Sequence, residues 1–237
     1  MTLKNKSDKT GYYTALAIAA VSFVTFGIAA TTTPVSGPYC KGECVVFPYT
    51  DIISRFPGDY IWMYPAIILI LLFVVLIVCI HNYAENEKKI YSRLGLTFSV
   101  ISATMLILDY YIQISVIQPS LLNGETEGIA MLSQYNPHGV FIALEEAGYW
   151  MMSLTFLSLF PVFSKTSGLE RTIRWVLISC FVMMIVTFLY FSLRYGIQRE
   201  YRFEVAAITI NWTALIVLGI LLALFFRKGK IEALNIG

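Results

Sequence analysis

Charge is scarce in this chain. Only 14% of its 237 residues are Asp, Glu, Lys or Arg, where an ordinary soluble domain carries about a quarter. Histidine is scarcer still. His81 and His138 are the two present, and they fall at opposite predicted membrane faces, so a two-histidine metal site is excluded. There is no HExxH, no GxSxG and no P-loop, which leaves zincin, serine-hydrolase and NTPase readings without an anchor. No CxxC is present, so the usual dithiol redox motif is missing. The outer halves of the later apolar runs hold no lysine, which excludes a retinal Schiff base there. Alternating segments of ~10 residues are also missing, so a transmembrane barrel has no support. No internal repeat is visible, which argues against a carrier built from inverted repeats.

What the chain has in abundance is hydrophobic sequence, 57% of all residues. Six runs are long enough to cross a bilayer, which takes ~20 residues each. They span roughly residues 12–32, 61–83, 94–117, 139–163, 173–195 and 204–226. Little is left for a separate soluble unit. The expectation is an all-α membrane protein: one domain over residues 1–237, a single bundle of six transmembrane helices. The first run follows Lys4, Lys6 and Lys9 but exceeds the ~7–15 apolar residues of a signal core, so it reads as a retained span.

Basic residues set the orientation. With the N-terminus inside, twelve Lys and Arg fall in cytoplasmic segments and five (Lys41, Arg55, Arg194, Arg199 and Arg202) on the other side. Both termini are then cytoplasmic, in a multi-pass protein of the cell membrane. Acids are distributed the other way, five inside and ten towards the outside. The outer mouth is therefore net acidic, which favours cations or neutral solutes. The basic tail "RKGKIEALNIG" reads as a positive-inside anchor, not a nucleic-acid site.

The segment from Thr33 to Asp59 is the one long loop. Its prolines exclude continuous helix, although "YTDIISRF" has room for a helical turn capped by Thr50 or Asp51. Cys40 and Cys44 lie in this loop, and a CxxxC pair on an oxidising face closes a small disulfide ring. Tyr60, Trp62 and Tyr64 follow as an interfacial aromatic cluster. The second span is almost purely apolar and is expected to touch lipid over much of its surface.

Spans three to six carry polar groups in their outer halves, and such groups belong inside a bundle or against water. At 100° per residue, Ser99, Ser102, Leu106, Asp109, Tyr110 and Gln113 share one arc of span three, which Pro119 is expected to end. Span four is expected to start with Asn136 as N-cap, Pro137 at the first helical position and His138 in the first turn. His138, Ile142, Glu145 and Tyr149 form its polar arc, with Glu146 at the edge. Gly139, Ala143 and Ala147 make a small-residue stripe suited to close helix packing. Span five places Met183, Thr187, Tyr190 and Arg194 on one face. Span six does the same with Glu204, Ile208, Asn211 and Leu215.

Asp109, Glu145, Glu146 and Asn211 count to a similar depth, on the order of 10 Å below the outer boundary. These residues, with Gln113, His138, Tyr149 and Arg194, define the expected ligand- or proton-binding pocket. Arg194 is the cation available to three buried carboxyls, which cannot all be ionised comfortably. The expected function is binding or transport of a small solute or cation with proton linkage. An intramembrane enzyme acting on a lipid or amphiphile is one alternative, with Glu145 or Asp109 as acid/base and Arg194 on an anionic head group. A structural or assembly protein without a ligand is the other. No cofactor and no metal is assigned, and the lipid bilayer is the one sure partner. The small-residue stripe fits contacts within or between chains, so oligomeric state is left open.

Overall fold

A computed structural model describes the backbone of residues 3–32 and 36–235. Among these residues the regular structure is helical. The main helices are α1 (Leu3–Thr31), α2 (Met63–Tyr83), α3 (Lys89–Ile112), α4 (Gln118–Leu122), α5 (Ile129–Leu132), α6 (Val140–Leu159), α7 (Gly168–Tyr195) and α8 (Glu200–Asn235). Six helical segments are long and apolar enough to cross a membrane: Ser7–Thr31, Gly58–Tyr83, Asn86–Leu122, Val140–Val162, Gly168–Arg199 and Tyr201–Arg227. These match the six expected runs.

Five helices form a ring in which α1 packs on α2 and α8, α3 on α2 and α6, and α6 on α8. α7 lies at the edge, against α6 and α8. Span two keeps an apolar exposed side, as expected, with Ile68, Leu71, Val75 and Val78 at the surface. α2 buries a stripe that includes Leu69, Phe73, Leu76 and Ile80, and Phe73 meets Phe156 of α6 edge-to-face at 5.8 Å. The peripheral helix is α7, which buries Ile173, Leu177, Cys180 and Met184 and exposes most of the rest.

Helices approach closely where a glycine lets them. A Cβ on Gly148 would come within 2.6 Å of Leu106, so α3 meets α6 there. On the same seam a Cβ on Gly95 would lie 2.9 Å from Leu159. Gly219 of α8 faces the Ala15 carbonyl of α1 at 2.8 Å from an added Cβ. The packing seam of α6 is thus Gly148. Of the expected stripe, Ala143 is exposed and Ala147 only half-buried. The reason is rotational: the buried stripe Ile142, Glu145, Tyr149, Met152, Phe156 turns Gly148 inward and Ala143 out.

Pro119 does not end the third span. α3 runs through a π-helical turn at Gln113–Ile117 into α4, and the helix stops at Leu122. A wider turn is a known way to absorb a missing proline N–H, and the Ser115 hydroxyl donates to the Tyr111 carbonyl at 2.6 Å just before it. The start of α6 is likewise later than expected. Gly139 is its N-cap and Val140 its first residue. Asn136 instead forms a turn, its Oδ1 accepting the His138 N–H at 3.0 Å.

One end of the ring is capped by the long loop and by residues 123–139. Cys40 and Cys44 are joined by a disulfide. The expected helical turn is a 3₁₀ turn at Ile53–Arg55, preceded by Ile52 in place of Thr50 or Asp51. Ile52 and Tyr60 are fully buried. Of the expected interfacial cluster only Tyr64 stays at the surface. Tyr60 packs on Tyr135, and Trp62 packs on Tyr110 at 5.1 Å and on Trp212 at 6.0 Å.

Candidate functional site

The acidic pair of α6 is split by its helix. Glu145 and Glu146 are 100° apart, so one faces the ring and the other its edge. Glu145 is fully buried. The Tyr110 hydroxyl of α3 donates to its Oε1 at 2.5 Å. With that proton committed, Tyr149 donates in turn to Tyr110 at 2.9 Å. Trp212 on α8 lies near the Tyr149 hydroxyl. The chain Tyr149, Tyr110 therefore runs one way and ends on Glu145.

Glu204, in the second turn of α8, brings a second buried carboxyl close to that of Glu145, so the charge on either acid bears on the other. α6 and α8 run in the same direction, so their residues advance together. Asp109, one residue before Tyr110, is the third acid of this group. Oδ2 of Asp109 and Oε2 of both Glu145 and Glu204 have no hydrogen-bond partner among the described residues. Three buried acids thus converge from α3, α6 and α8.

Glu146 takes a different partner. Arg199, in the turn between α7 and α8, donates to its Oε2 at 2.9 Å. The guanidinium also lies over the rings of Phe188 and Phe203, at 4.6 and 5.7 Å. Arg194 is exposed on the outward side of α7, its guanidinium 6.0 Å from the Tyr195 ring. The cation that meets the acidic pair is therefore Arg199 and not Arg194. Met183 and Tyr190 share that outward side, so the expected inward face of span five is corrected.

A cavity of about 350 Å³ lies against this cluster. Glu204, Trp212 and Tyr201 form its wall on α8, with Phe26 and Ala29 on α1. Asp59, Trp62, Gln134, Tyr135 and Phe141 close it from the cap and the start of α6. The Tyr135 hydroxyl donates to Asp59 Oδ2 at 2.9 Å. Burial pushes this hydroxyl well above the usual tyrosine range, with Tyr60 and Asp59 adding to the effect. Asp59 is also paired with Arg55 at 3.4 Å. Ala30, Val205 and Thr209 line the cavity and are exposed, so it reaches the surface between α1 and α8.

Several expected pocket residues lie elsewhere. Gln113 is buried, but its amide donates to the Leu132 carbonyl at 2.6 Å and accepts the Gln134 N–H at 3.0 Å. It fastens the cap to α3. Asn211 accepts from Ser153 at 3.1 Å and donates to the Ala207 carbonyl at 2.9 Å, within reach of Cys180 and Met184. Its partner Ser153 is eight residues beyond Glu145, about 12 Å deeper. The equal depth expected of Asn211 is thus corrected, and Asn211 joins α6, α7 and α8. His138 is exposed and lines a separate pocket with Pro38, Gln198 and Arg202.

Asp109, Glu145 and Tyr149 therefore come together as a group, with Glu146 on its flank. Glu204, Trp62, Trp212 and Arg199 are the residues that sequence reasoning left out. Glu204 carried a signal, because it shares a helical face with Asn211. Among the described residues no group of three or more His, Cys, Asp and Glu has the arrangement of a metal site. Comparison with known proteins finds no matching family model, no matching curated protein and no matching solved structure.

Proposed function

We propose that this is a multi-pass membrane protein, with both termini cytoplasmic and the capped end outside, that binds a small solute in the cavity and couples its movement to a proton. The observation that carries this reading is the position of Glu204. Its carboxyl lines the cavity and also lies beside Glu145. A carboxyl pair sharing a proton holds it without full desolvation of two charges. Solute arriving at Glu204 then changes the energy of that proton directly. Intramembrane carboxyls that face one another and a cavity are the usual means of proton linkage.

The orientation rests on the excess of Lys and Arg at the uncapped end. A purely structural role is less well supported, since it calls for a filled interior and satisfied acids. The enzyme alternative assigned an anionic head group to Arg194. No Lys or Arg lines the cavity among the described residues, so that reading lacks its cation.

Proteoliposomes with an acidic lumen and an enclosed pH dye test the proposal. A panel of small cationic, neutral and anionic solutes is added outside. At least one class is expected to dissipate the gradient faster with wild-type protein than with Glu145→Gln. If every solute gives equal rates for the two proteins, proton coupling through this pair is wrong.

A further inference from the structure

The cavity has a chemical bias that narrows its ligand. Glu204 is more than nine-tenths buried and lines the cavity. The cations nearest in sequence are committed elsewhere. Arg199 is held by Glu146, and Arg202 lies over the Tyr195 ring at 4.1 Å. Arg55 pairs with Asp59 but does not line the cavity. Asp109 and Glu145 add two more acids behind Glu204 and no positive charge. The cluster therefore lacks a counter-charge from the protein.

The remaining wall is aromatic. Trp62, Tyr135, Phe141, Tyr201 and Trp212 face the same space. Rings of this kind attract a cation through their negative faces. An inorganic ion would lose its water without gaining enough oxygen ligands, since this wall offers mainly carbon. A volume of about 350 Å³ sits at the lower end of small-molecule sites. The rim between α1 and α8 includes the exposed Ala30 and Val205, which are apolar. With Thr209 as the exposed polar residue beside them, these two suit a ligand that has an apolar body.

From this we infer that the ligand is an amphiphilic ammonium compound, its charged head against Glu204 among the rings and its apolar body along Phe26 and Ile208 towards the rim. The inference rests on the proposal that the cavity binds a solute, and it names the class of that solute.

Benzyltrimethylammonium is the probe, and neopentylbenzene, in which carbon replaces the nitrogen, is its neutral isostere. Phenylacetate is the anionic control. Binding to the purified full chain in lipid nanodiscs is followed by tryptophan fluorescence, because Trp62 and Trp212 line the site. The cation is expected to bind at least tenfold more tightly than the isostere, and Glu204→Gln is expected to abolish that preference. Equal or tighter binding of neopentylbenzene or phenylacetate overturns the ammonium assignment and leaves the solute site intact. If no probe binds, the solute-site reading itself fails together with the inference. The wild-type comparison needs no variant, so it decides the matter even where Glu204→Gln does not fold.

Discussion

The Tyr110 hydroxyl on α3 donates to Glu145 Oε1 on α6 at 2.5 Å. Both residues are fully buried, so this bond is made where water cannot replace it. Tyr110→Phe leaves the ring and its packing on Trp62 but removes the donor. A buried acceptor deprived of its partner costs about 1–3 kcal/mol. Thermal melting of the purified variant is expected to fall by that amount, and Tyr110→Phe combined with Glu145→Leu is expected to recover part of it. A double variant no better than the single one would mean the bond is not what holds the acid.

Leu106 and Gly148 make the closest approach of α3 to α6. The atoms met by an added Cβ include Leu106 Cγ at 2.6 Å, the branch point of that side chain. Gly148→Ala is therefore expected to destabilise by about 1–3 kcal/mol through overpacking. Leu106→Ala in the same chain removes the obstruction. The stability lost by the double variant should be smaller than the sum of the two single losses, and strict additivity would show that the clash is relieved elsewhere.

Arginines 194 and 199 separate cleanly. Arg199→Gln breaks a pair whose side chains are 23% and 12% exposed, and it also removes the cation from over Phe188 and Phe203. A loss of about 1–3 kcal/mol is expected, below that of a fully buried pair because part of each group remains solvated. Arg194→Gln, on the outward side of α7, is expected to change stability by less than about 0.5 kcal/mol. Parallel melting curves check both, and a reversal of their order would place the wrong arginine on Glu146.

The proposed orientation makes a labelling prediction. Cys40 and Cys44 are joined, and Cys79 and Cys180 are buried, so the native chain offers little background. With the capped end outside, Glu125→Cys should react with a membrane-impermeant maleimide on intact cells. Lys165→Cys, at the opposite end, should react only after permeabilisation. The opposite pattern would invert the topology.

Much of the architecture is legible from composition and periodicity. Six apolar lengths give six helices. Within one helix the angular relations are fixed, so the inward arc of α3 through Ser99, Ser102, Leu106, Asp109, Tyr110 and Gln113 is buried as expected. Cys40 and Cys44 pair because three intervening residues allow it. What periodicity lacks is the rotation of each helix against its neighbours. α7 is apolar on nearly every side, so nothing in its sequence says that Arg194 faces out. Depth fails for a related reason. Asn211 and Glu204 share a face, but two turns of helix put them beside different partners, Ser153 and Glu145. Gln113 lies on the expected arc, yet its amide is consumed by a loop that folds back from residues 132–134.

The ring is closed by its first and last members, since α8 packs against α1. Chains enter the membrane in order, N-terminal spans first. Asp109 and Glu145 are therefore inserted before Glu204 and Trp212 exist beside them, and Phe26 waits longest for its partner. Completion of the protein is thus a single late event in its biogenesis, and a chain stopped at Gly196 should be cleared rapidly in a pulse–chase experiment instead of persisting as a five-span form.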